Sequence, residues 1–300
     1  MYAPSYTELA WTGELGKRAE QLSGMLEACT LCPHECRINR SAGETGNCEA
    51  PGDMIVSSCF PHFGEEPELS GWNGSGTVFL AYCSLKCCFC QNDDLSHAGS
   101  GRRMEIPELA GEMLQLQRSG CHNINFVTPT HYVPHIVSAL TAAAEQGLSV
   151  PIVYNTSGYE SLETLRLLDG IVDIYMPDVK FADNETGARF TLADDYTDAL
   201  FDALKEMHRQ VGDLQTDGTG IAQRGILIRH LVMPNGVAGT PRIMKFISEE
   251  LGADTYVNVM DQYRPHCRAY RFPEINRRIT RDEWEDAAGV ARMAGLYRGF

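Results

Sequence analysis

Three cysteines, Cys83, Cys87 and Cys90, have a spacing suited to binding a metal cluster. Their C-x3-C-x2-C pattern places three thiols on one short loop, directly after the apolar run Thr77–Tyr82. Thiolates are ligands for iron–sulfur clusters and for zinc. A cluster held by three protein ligands keeps one iron open, and an open position is typical of a reacting site. The pattern therefore predicts a reactive [4Fe–4S] cluster, with a zinc loop or chance spacing as the alternative.

A second set of cysteines lies nearer the amino terminus, at Cys29, Cys32, Cys36 and Cys48. Four thiols without an open position suit structural zinc. The same four thiols can hold an auxiliary [4Fe–4S] cluster. This segment has few apolar residues, so a metal would have to order it. We expect a second iron–sulfur cluster or Zn²⁺ here, with reduced free thiols as the alternative and Cys59 as a substitute ligand.

Short apolar strands alternate with helices through the rest of the chain. The predicted strands are Thr77–Tyr82, Asn123–Thr128, Pro151–Asn155, Ile171–Met176, Gly225–Val232 and Tyr256–Met260. Strands that are almost wholly apolar are typical of a parallel sheet buried on both faces. Six successive βα units indicate an α/β fold, either a doubly wound sheet or a partial TIM-like barrel. In both folds the chemistry lies at the carboxyl ends of the strands.

The amino-terminal quarter has a different character. Tyr6–Ala28 is predicted to be helical, whereas Cys29–Gly76 is rich in cysteine and glycine and is predicted to be mostly loop. We therefore divide the chain into an N-terminal helix and cysteine-rich metal-binding extension (1–75) and a barrel (76–300). At the other end, Thr280 and Glu283 have the spacing of a capping box that begins the last helix.

Composition excludes several classes of partner. The formal net charge is −15, whereas a surface that follows a phosphate backbone needs a basic excess, so nucleic acid is not expected as the main partner. No apolar run approaches the length of a membrane span, and Met1–Gly16 lacks the pattern of a secretory signal. We expect a cytoplasmic protein that does not enter the membrane.

A cluster of basic residues follows the sixth strand, against this acidic background. Its members are Arg264, His266, Arg268, Arg271, Arg277, Arg278 and Arg281. Arginine pairs with carboxylates and phosphates in bidentate geometry, so an anionic substrate or an acidic partner protein can dock there. A solvated surface is the alternative interpretation.

The chain resembles the radical S-adenosylmethionine (SAM) superfamily. The resemblance rests on the three-cysteine loop after the first βα strand and on Phe89 before its last cysteine. Other matching segments are Cys29–Cys36, Pro61–Pro67, Cys90–Asn92, Asn123–His131, Pro151–Tyr159 and Arg229–Asn235. Together they are similar to a branch of uncharacterised proteins named as relatives of pyruvate formate-lyase-activating enzyme. The resemblance implies a partial (β/α)6 TIM-like barrel with an N-terminal cysteine-rich extension.

The resemblance also implies roles for residues at the strand ends. Cys83, Cys87 and Cys90 match the cluster ligands, and S-adenosylmethionine is the expected cofactor. Activating enzymes have a Gly-Gly-Glu-Pro run after the second strand. Here that place reads VTPT, so the methionine contact is expected from backbone carbonyls or from Thr128 and Thr130.

Three further strand ends carry polar residues that the resemblance places at the cofactor. Asn155, Thr156 and Ser157 match a segment expected to contact the ribose or the methionine carboxylate. Asp178 and Lys180 match an Asp-x-Lys motif that faces cofactor and substrate. Arg229 and His230 end the fifth strand, where a cation can grip a carboxylate. The alternatives are a structural ion pair for Asp178 and Lys180, a core histidine for His230 and a simple strand end for Asn155.

The function implied is that of an oxygen-sensitive radical SAM oxidoreductase. Its cluster would cleave S-adenosylmethionine reductively to a 5′-deoxyadenosyl radical that abstracts a substrate hydrogen. The substrate is expected to be a glycyl loop of a protein, as in activation of a glycyl-radical enzyme, or an anionic small molecule or peptide. A small electron donor of the flavodoxin or ferredoxin type would reduce the cluster. The alternative from another class is a non-catalytic iron–sulfur or zinc protein in electron transfer or assembly.

Overall fold

The computed structural model describes residues 2–300, and its central feature is a mixed sheet with a parallel core. The strands are β1 (Ile55–His62), β2 (Ser75–Leu80), β3 (Arg102–Arg103), β4 (Ile124–Val127), β5 (Ile152–Thr156), β6 (Ile174–Val179), β7 (Gln215–Thr216), β8 (Ala222–Leu231) and β9 (Tyr256–Met260). β2, β4, β5, β6, β8 and β9 are parallel neighbours in that order. Within the described residues the sheet does not close, because β1 and β3 continue one side and β9 ends the other. The predicted partial barrel is therefore confirmed.

Helices connect these strands and cover the outer face of the sheet. They are α1 (Tyr6–Thr12), α2 (Glu14–Gly24), α3 (Pro67–Ser70), α4 (Asp93–Ser96), α5 (Ile106–Arg118), α6 (Val133–Glu145), α7 (Leu162–Leu167), α8 (Asn184–Phe190), α9 (Tyr196–Val211), α10 (Thr240–Phe246) and α11 (Arg281–Met293). A π-helical turn, Ile247–Leu251, continues α10. Among residues 2–300, no helix combines the length and the apolar character that a membrane crossing requires.

The cap predicted for the last helix is present. The Glu283 N–H donates to Thr280 Oγ1 at 3.2 Å, and the Thr280 N–H donates to Glu283 Oε2 at 2.8 Å. These reciprocal bonds satisfy two backbone donors that a helix start leaves without partners. The capping box therefore fixes where α11 begins, as the sequence predicts.

The amino-terminal segment differs from its prediction in two ways. The helix expected over Tyr6–Ala28 is two helices, because Gly13 has a φ of 75°, which ends α1 before α2 begins. The segment Cys29–Gly76, expected to be mostly loop, contains β1 and the short helix α3. β1 pairs antiparallel with β2 from Val56 to His62. Its sequence lacks regular alternation and includes Pro61, so the pairing comes from the sheet rather than from local preference.

Side chains along the parallel strands alternate between the barrel interior and the helix layer. One apolar cluster joins strand residues with Leu69 of α3, and its strand members are Val153, Ile174, Met176, Ala222 and Leu227. The residues between them, such as Tyr154 and Tyr175, belong to the larger cluster under the helices. This period of two is the geometry of any β-strand. This alternation determines which polar side chains can reach the barrel interior.

Asp173 ties the start of the chain to the sheet. This fully buried carboxylate accepts hydrogen bonds from the Tyr2 hydroxyl at 2.7 Å, the Ser5 N–H at 2.8 Å and the Ile152 N–H at 2.9 Å. Burial raises the pKa of Asp173, and these donors oppose that rise. The carboxylate therefore holds three donors that would otherwise be left without partners.

Replacing this acceptor should destabilise the protein. We expect Asp173→Asn to lower the free energy of unfolding by about 2–3 kcal/mol, since one amide cannot accept all three hydrogen bonds. The control is Asp169→Asn, which removes an exposed partner of Arg209 and should cost less than about 1 kcal/mol. Urea unfolding followed by circular dichroism measures both. Equal losses in the two variants would contradict this role of Asp173.

Candidate functional site

The three-cysteine loop begins just after β2, at the carboxyl end of the barrel. Cys83 and Cys87 are buried and Cys90 is partly buried. The Leu85 N–H donates to Cys83 Sγ at 3.3 Å, and the Ser96 hydroxyl donates to Cys90 Sγ at 3.1 Å. Such donors stabilise the negative charge that metal-bound thiolates carry and tune the potential of a cluster.

This donor set fits a [4Fe–4S] cluster with one open iron. Burial raises the pKa of Cys83 to about 11 and raises the pKa of Cys87 well above its ordinary value, while Lys180 lowers both. Metal binding must therefore displace protons from these thiols. Among residues 2–300, no three Cys, His, Asp or Glu side chains converge on the position of one metal ion. The thiolates of a cubane bind different iron atoms and do not converge on one point.

A network of charged side chains lies inside the barrel near this loop. Lys180 Nζ donates to Asp178 Oδ2 at 2.6 Å, and Arg229 Nε donates to Asp178 Oδ1 at 2.7 Å. Arg229 Nη2 donates to Asn155 Oδ1 at 2.7 Å, and its Nη1 lies 3.4 Å from Glu65 Oε2. The fold thus joins four residues predicted to belong to the site, from β5, β6 and β8, with one that was not predicted, Glu65.

Electrostatics favour the ionised form of Asp178. Burial raises the pKa of Asp178, but the charges of Arg229 and Lys180 outweigh that effect and hold it below its usual range. Burial raises the pKa of Glu65, and Arg229 opposes that rise. Arg229 therefore already has acidic side chains beside it, those of Asp178, Glu65 and Glu66.

His230 is not brought to this network. It alternates with Arg229 along β8 and is fully buried. Its Nδ1 lies 2.9 Å from the Val179 carbonyl oxygen and its Nε2 lies 2.9 Å from Thr240 Oγ1. Burial lowers its pKa to about 4, so the ring is neutral near pH 7. This position corresponds to the core-histidine alternative.

Two predicted cofactor residues contact a buried acid instead. Thr130 Oγ1 donates to Glu160 Oε1 at 2.6 Å, and the Thr156 hydroxyl donates to the same oxygen. Tyr154 OH donates to Glu160 Oε2 at 3.1 Å. Burial raises the pKa of Glu160 to about 7, although the three hydroxyls lower it. Glu160 was missed because an isolated glutamate after a strand carries no sequence signal.

Two other predicted cofactor residues, Thr128 and Ser157, follow strand ends and make no hydrogen bond to Glu160. Thr128 has a φ of 57° after β4, and its N–H donates to the Asn155 carbonyl oxygen at 2.8 Å. Ser157 follows β5, and its buried hydroxyl has no partner among the described residues. Asn125, which was not predicted, is fully buried on β4, and neither side-chain polar atom has a partner there. Such groups are expected to bind water or a ligand.

Two cavities lie beside the network and share Asp261 and Gln262. One, of about 510 Å³, extends from Arg229 past Asn258 and Trp284, between β9 and residues 64–67. The other, of about 430 Å³, is lined by Gln91, Tyr263, Arg264 and Arg278, next to the three-cysteine loop. Both volumes lie in the range of small-molecule sites. Together they form a cleft along the open side of the barrel.

Some arginines of the predicted basic cluster already form ion pairs with acidic side chains. Arg277 pairs with Glu283 at 2.7 Å, and Arg281 pairs with Glu285 at 2.6 Å. Arg264 and Arg278 have no acidic partner within the described residues, and both line the second cavity. The second cavity thus contains two arginines without an ion-pair partner in residues 2–300, together with one acid, Asp261.

The four amino-terminal cysteines are brought together. Cys29, Cys32, Cys36 and Cys48 all line one cavity, together with Arg40 and His131. Cys59, the possible substitute ligand, lies on β1 and does not line this cavity.

Comparison with known proteins identifies the family. The profile of the Radical SAM superfamily matches residues 77–222, from β2 to the start of β8. The chain is also 35% identical over 291 residues to the uncharacterised protein MJ0674 of Methanocaldococcus jannaschii, covering 94% of this chain and 79% of that protein. The chain belongs to the radical SAM superfamily.

Solved structures agree with this fold. The hydrogenase maturase HydG superposes with a TM-score of 0.50 at 14% identity, covering 74% of this chain and 49% of HydG. SuiB of Streptococcus suis, solved with its precursor peptide SuiA, gives 0.50 at 13% identity, covering 73% of this chain and 46% of SuiB. The chain thus spans about half the length of each of these structures. At this level of identity the likeness shows the fold alone.

The protonation of Glu160 should appear in the pH dependence of stability. Its folded pKa of about 7 lies above its ordinary value of 4.5, so the folded protein retains a proton that the unfolded chain releases. Stability contributed by this group therefore falls as pH rises from about 4.5 to about 7, by an amount on the order of 3 kcal/mol, and is level above that.

Glu160→Gln should abolish this loss, since its amide cannot ionise. Thermal unfolding of both proteins between pH 5 and pH 8 measures the difference. Glu163→Gln, at an exposed position on α7, is the matched control and should keep the wild-type profile. An unchanged profile in Glu160→Gln would show that this carboxyl is ionised throughout.

Proposed function

We propose that this chain is a radical SAM oxidoreductase that abstracts hydrogen from a substrate held in the cleft beside Arg229. Cys83, Cys87 and Cys90 would hold the [4Fe–4S] cluster. When bound, this cluster supplies the electron that cleaves S-adenosylmethionine to methionine and a 5′-deoxyadenosyl radical. The observation that carries the proposal is the charged network of Asp178 and its neighbours, inside the barrel and beside the three-cysteine loop.

The network matches the charges of the cofactor. The methionine end of S-adenosylmethionine carries an ammonium, a carboxylate and a sulfonium. Asp178 supplies the negative charge that suits the cationic groups, and Lys180 and Arg229 suit the carboxylate. Asn155 and Ser157 lie at the end of β5, where their polar atoms can bind ribose hydroxyls. Thr128 remains a candidate for the methionine contact, whereas the hydroxyls of Thr130 and Thr156 are already engaged by Glu160.

The cleft favours a substrate with an anionic group. Arg264 and Arg278 line the cavity next to Gln91, one residue after the last cluster cysteine. An anion bound there would place the rest of the substrate in the adjoining cavity near Arg229. An anionic small molecule or peptide fits this arrangement. The resemblance to activating enzymes supports a second version, in which a glycyl loop of a protein enters the same cleft.

The reaction also needs a source of electrons. A flavodoxin or ferredoxin type of donor, as radical SAM enzymes commonly use, would reduce the cluster. A cytoplasmic location agrees with these thiols being free, because reducing compartments keep cysteines from pairing.

Formation of 5′-deoxyadenosine tests the proposal. Protein purified and reconstituted without oxygen should convert S-adenosylmethionine to 5′-deoxyadenosine and methionine when dithionite is added, as measured by liquid chromatography. Cys83→Ala should abolish the product because the cluster loses one of three ligands. Cys121→Ala, which removes a buried cysteine distant in sequence from the loop, should not. An intact cluster with no product would favour the electron-carrier alternative.

The charged network can be tested separately from cluster binding. Asp178→Asn leaves Lys180 and Arg229 without their shared acid and should lower the rate of 5′-deoxyadenosine formation about 10- to 100-fold. Iron content should stay at the wild-type value, since no cluster ligand changes. The control Asp202→Asn removes an exposed partner of Lys205 and should leave the rate unchanged. A wild-type rate in Asp178→Asn would remove the network from the active site.

Transfer of a label identifies the substrate. Deuterium placed on a candidate substrate should appear in 5′-deoxyadenosine, which mass spectrometry detects. Anionic small molecules, peptides and glycyl-radical proteins can each be assayed in this way. Arg264→Ala together with Arg278→Ala should raise KM for an anionic substrate and leave the cofactor cleavage without substrate unchanged. Unchanged KM would place the anion elsewhere.

A further inference from the structure

The four amino-terminal cysteines, Cys29, Cys32, Cys36 and Cys48, lie around one cavity. Backbone hydrogen bonds join the two sides of the segment: the Cys29 N–H donates to the Ile38 carbonyl oxygen and the Arg37 N–H to the Cys29 carbonyl oxygen, both at 2.9 Å. Cys29, Cys32 and Cys48 are buried, and Cys36 is partly buried. All four thiols face the same small cavity, although they come from separate turns of the chain.

A buried cation faces this cavity and lacks an acidic partner. Arg40 is 1% exposed, and it donates only to the carbonyl oxygens of His131 at 2.6 Å and Pro51 at 2.7 Å. Its Nε has no hydrogen-bond partner in the part of the chain that the structure describes. The face of Tyr132 lies 5.6 Å from the guanidinium. A buried charge is costly unless an opposite charge compensates it. Four metal-bound thiolates carry that opposite charge, whereas four neutral thiols do not.

The arrangement of the four thiols favours a cluster over a single metal ion. In a tetrahedral zinc site four ligands converge on one ion, with each sulfur about 2.3 Å away. In the described part of the chain, no three Cys, His, Asp or Glu side chains converge on the position of one metal ion. The thiolates of a cubane bind different iron atoms and need not converge on one point. The four cysteines, which line one cavity, therefore fit a cluster better than one zinc ion.

We propose that Cys29, Cys32, Cys36 and Cys48 bind an auxiliary [4Fe–4S] cluster, with Arg40 as the cation that compensates its charge. A cubane with four cysteine ligands is fully coordinated, unlike one held by Cys83, Cys87 and Cys90. The Asn47 N–H points at Cys36 Sγ, 3.5 Å away, and is a donor to the cluster sulfur.

Gly46 allows the backbone to approach this ligand. A Cβ at this position would lie 2.7 Å from Cys36 Sγ and 2.9 Å from Cys36 Cβ. Any side chain would therefore push Cys36 out of the cavity. This close approach makes Gly46 a specific test of the site that leaves all four ligands in place.

The site adjoins the loop of the first cluster. His131 lines the cavity, and its Nε2 lies 2.8 Å from the carbonyl oxygen of Ala81, two residues before Cys83. His34 Nε2 lies 2.8 Å from the Ser84 carbonyl oxygen. The two cysteine sets are thus held together by direct contacts, so an auxiliary cluster would sit beside the reacting one.

Metal analysis of a variant without the first site tests the proposal. Cys83, Cys87 and Cys90 are all replaced by Ala, and the protein is reconstituted with iron and sulfide without oxygen. It should bind about four iron and about four sulfide per chain and little zinc. Wild type should bind about twice as much. One zinc per chain, or no metal at all, in the triple variant would overturn the proposal. Because this assay needs no S-adenosylmethionine, it is independent of the proposed reaction.

Glycine substitutions in the same triple variant provide the matched control. Gly46→Ala should lose most of the iron, since the new methyl group displaces Cys36. Gly24→Ala, at the end of α2, meets no atom within 4 Å and should retain all of it. Circular dichroism shows whether each variant folds. Full iron binding by a folded Gly46→Ala variant would contradict the assignment of Cys36 as a ligand.

Discussion

The alternation of side chains along the strands is the constraint on which the site depends. Two consecutive residues of a strand point to opposite faces, so only one of each pair can face the interior. Arg229 and His230 illustrate the consequence: the arginine bonds Asp178 and Asn155, whereas the histidine bonds a backbone carbonyl and Thr240. The same rule separates Asn155 from Thr156. The barrel interior therefore presents Asn155, Asp178 and Arg229, and the intervening residues pack towards the helix layer.

The fold could be predicted from the sequence because its strands are short apolar runs that alternate with helical segments. All six parallel strands lie within about three residues of their predicted positions, and Tyr256–Met260 agrees at both ends. β6 is displaced because it continues through Pro177 and Asp178, residues that normally disfavour strands. β1 was missed because its hydrogen bonds come from β2, a partner that the local sequence does not reveal.

The candidate site was only partly predictable, for a related reason. Spacing identified the cysteines, since ligands on one loop are near in sequence. Residues that meet across the barrel are not: Glu65 reaches Arg229 from a loop more than 160 positions away in sequence. Glu160 likewise accepts a hydrogen bond from Thr130, 30 positions earlier in the sequence. The polar residues at strand ends can therefore be identified as candidates from the sequence. Only the fold shows which of them already have hydrogen-bond partners within the protein.

Charge compensation connects the interior of the barrel to the amino-terminal extension. Inside the barrel, Asp178 is shared by two cations, and Glu65 adds a second acid to Arg229. Glu66 is a further buried acid near Arg229, so each cation of the network has an acid beside it before any ligand binds. Arg40 is the opposite case, because its partners are neutral carbonyl oxygens. A buried charge is costly without an opposite charge, and the cysteines that line the same cavity as Arg40 can supply that charge once their thiolates bind a metal.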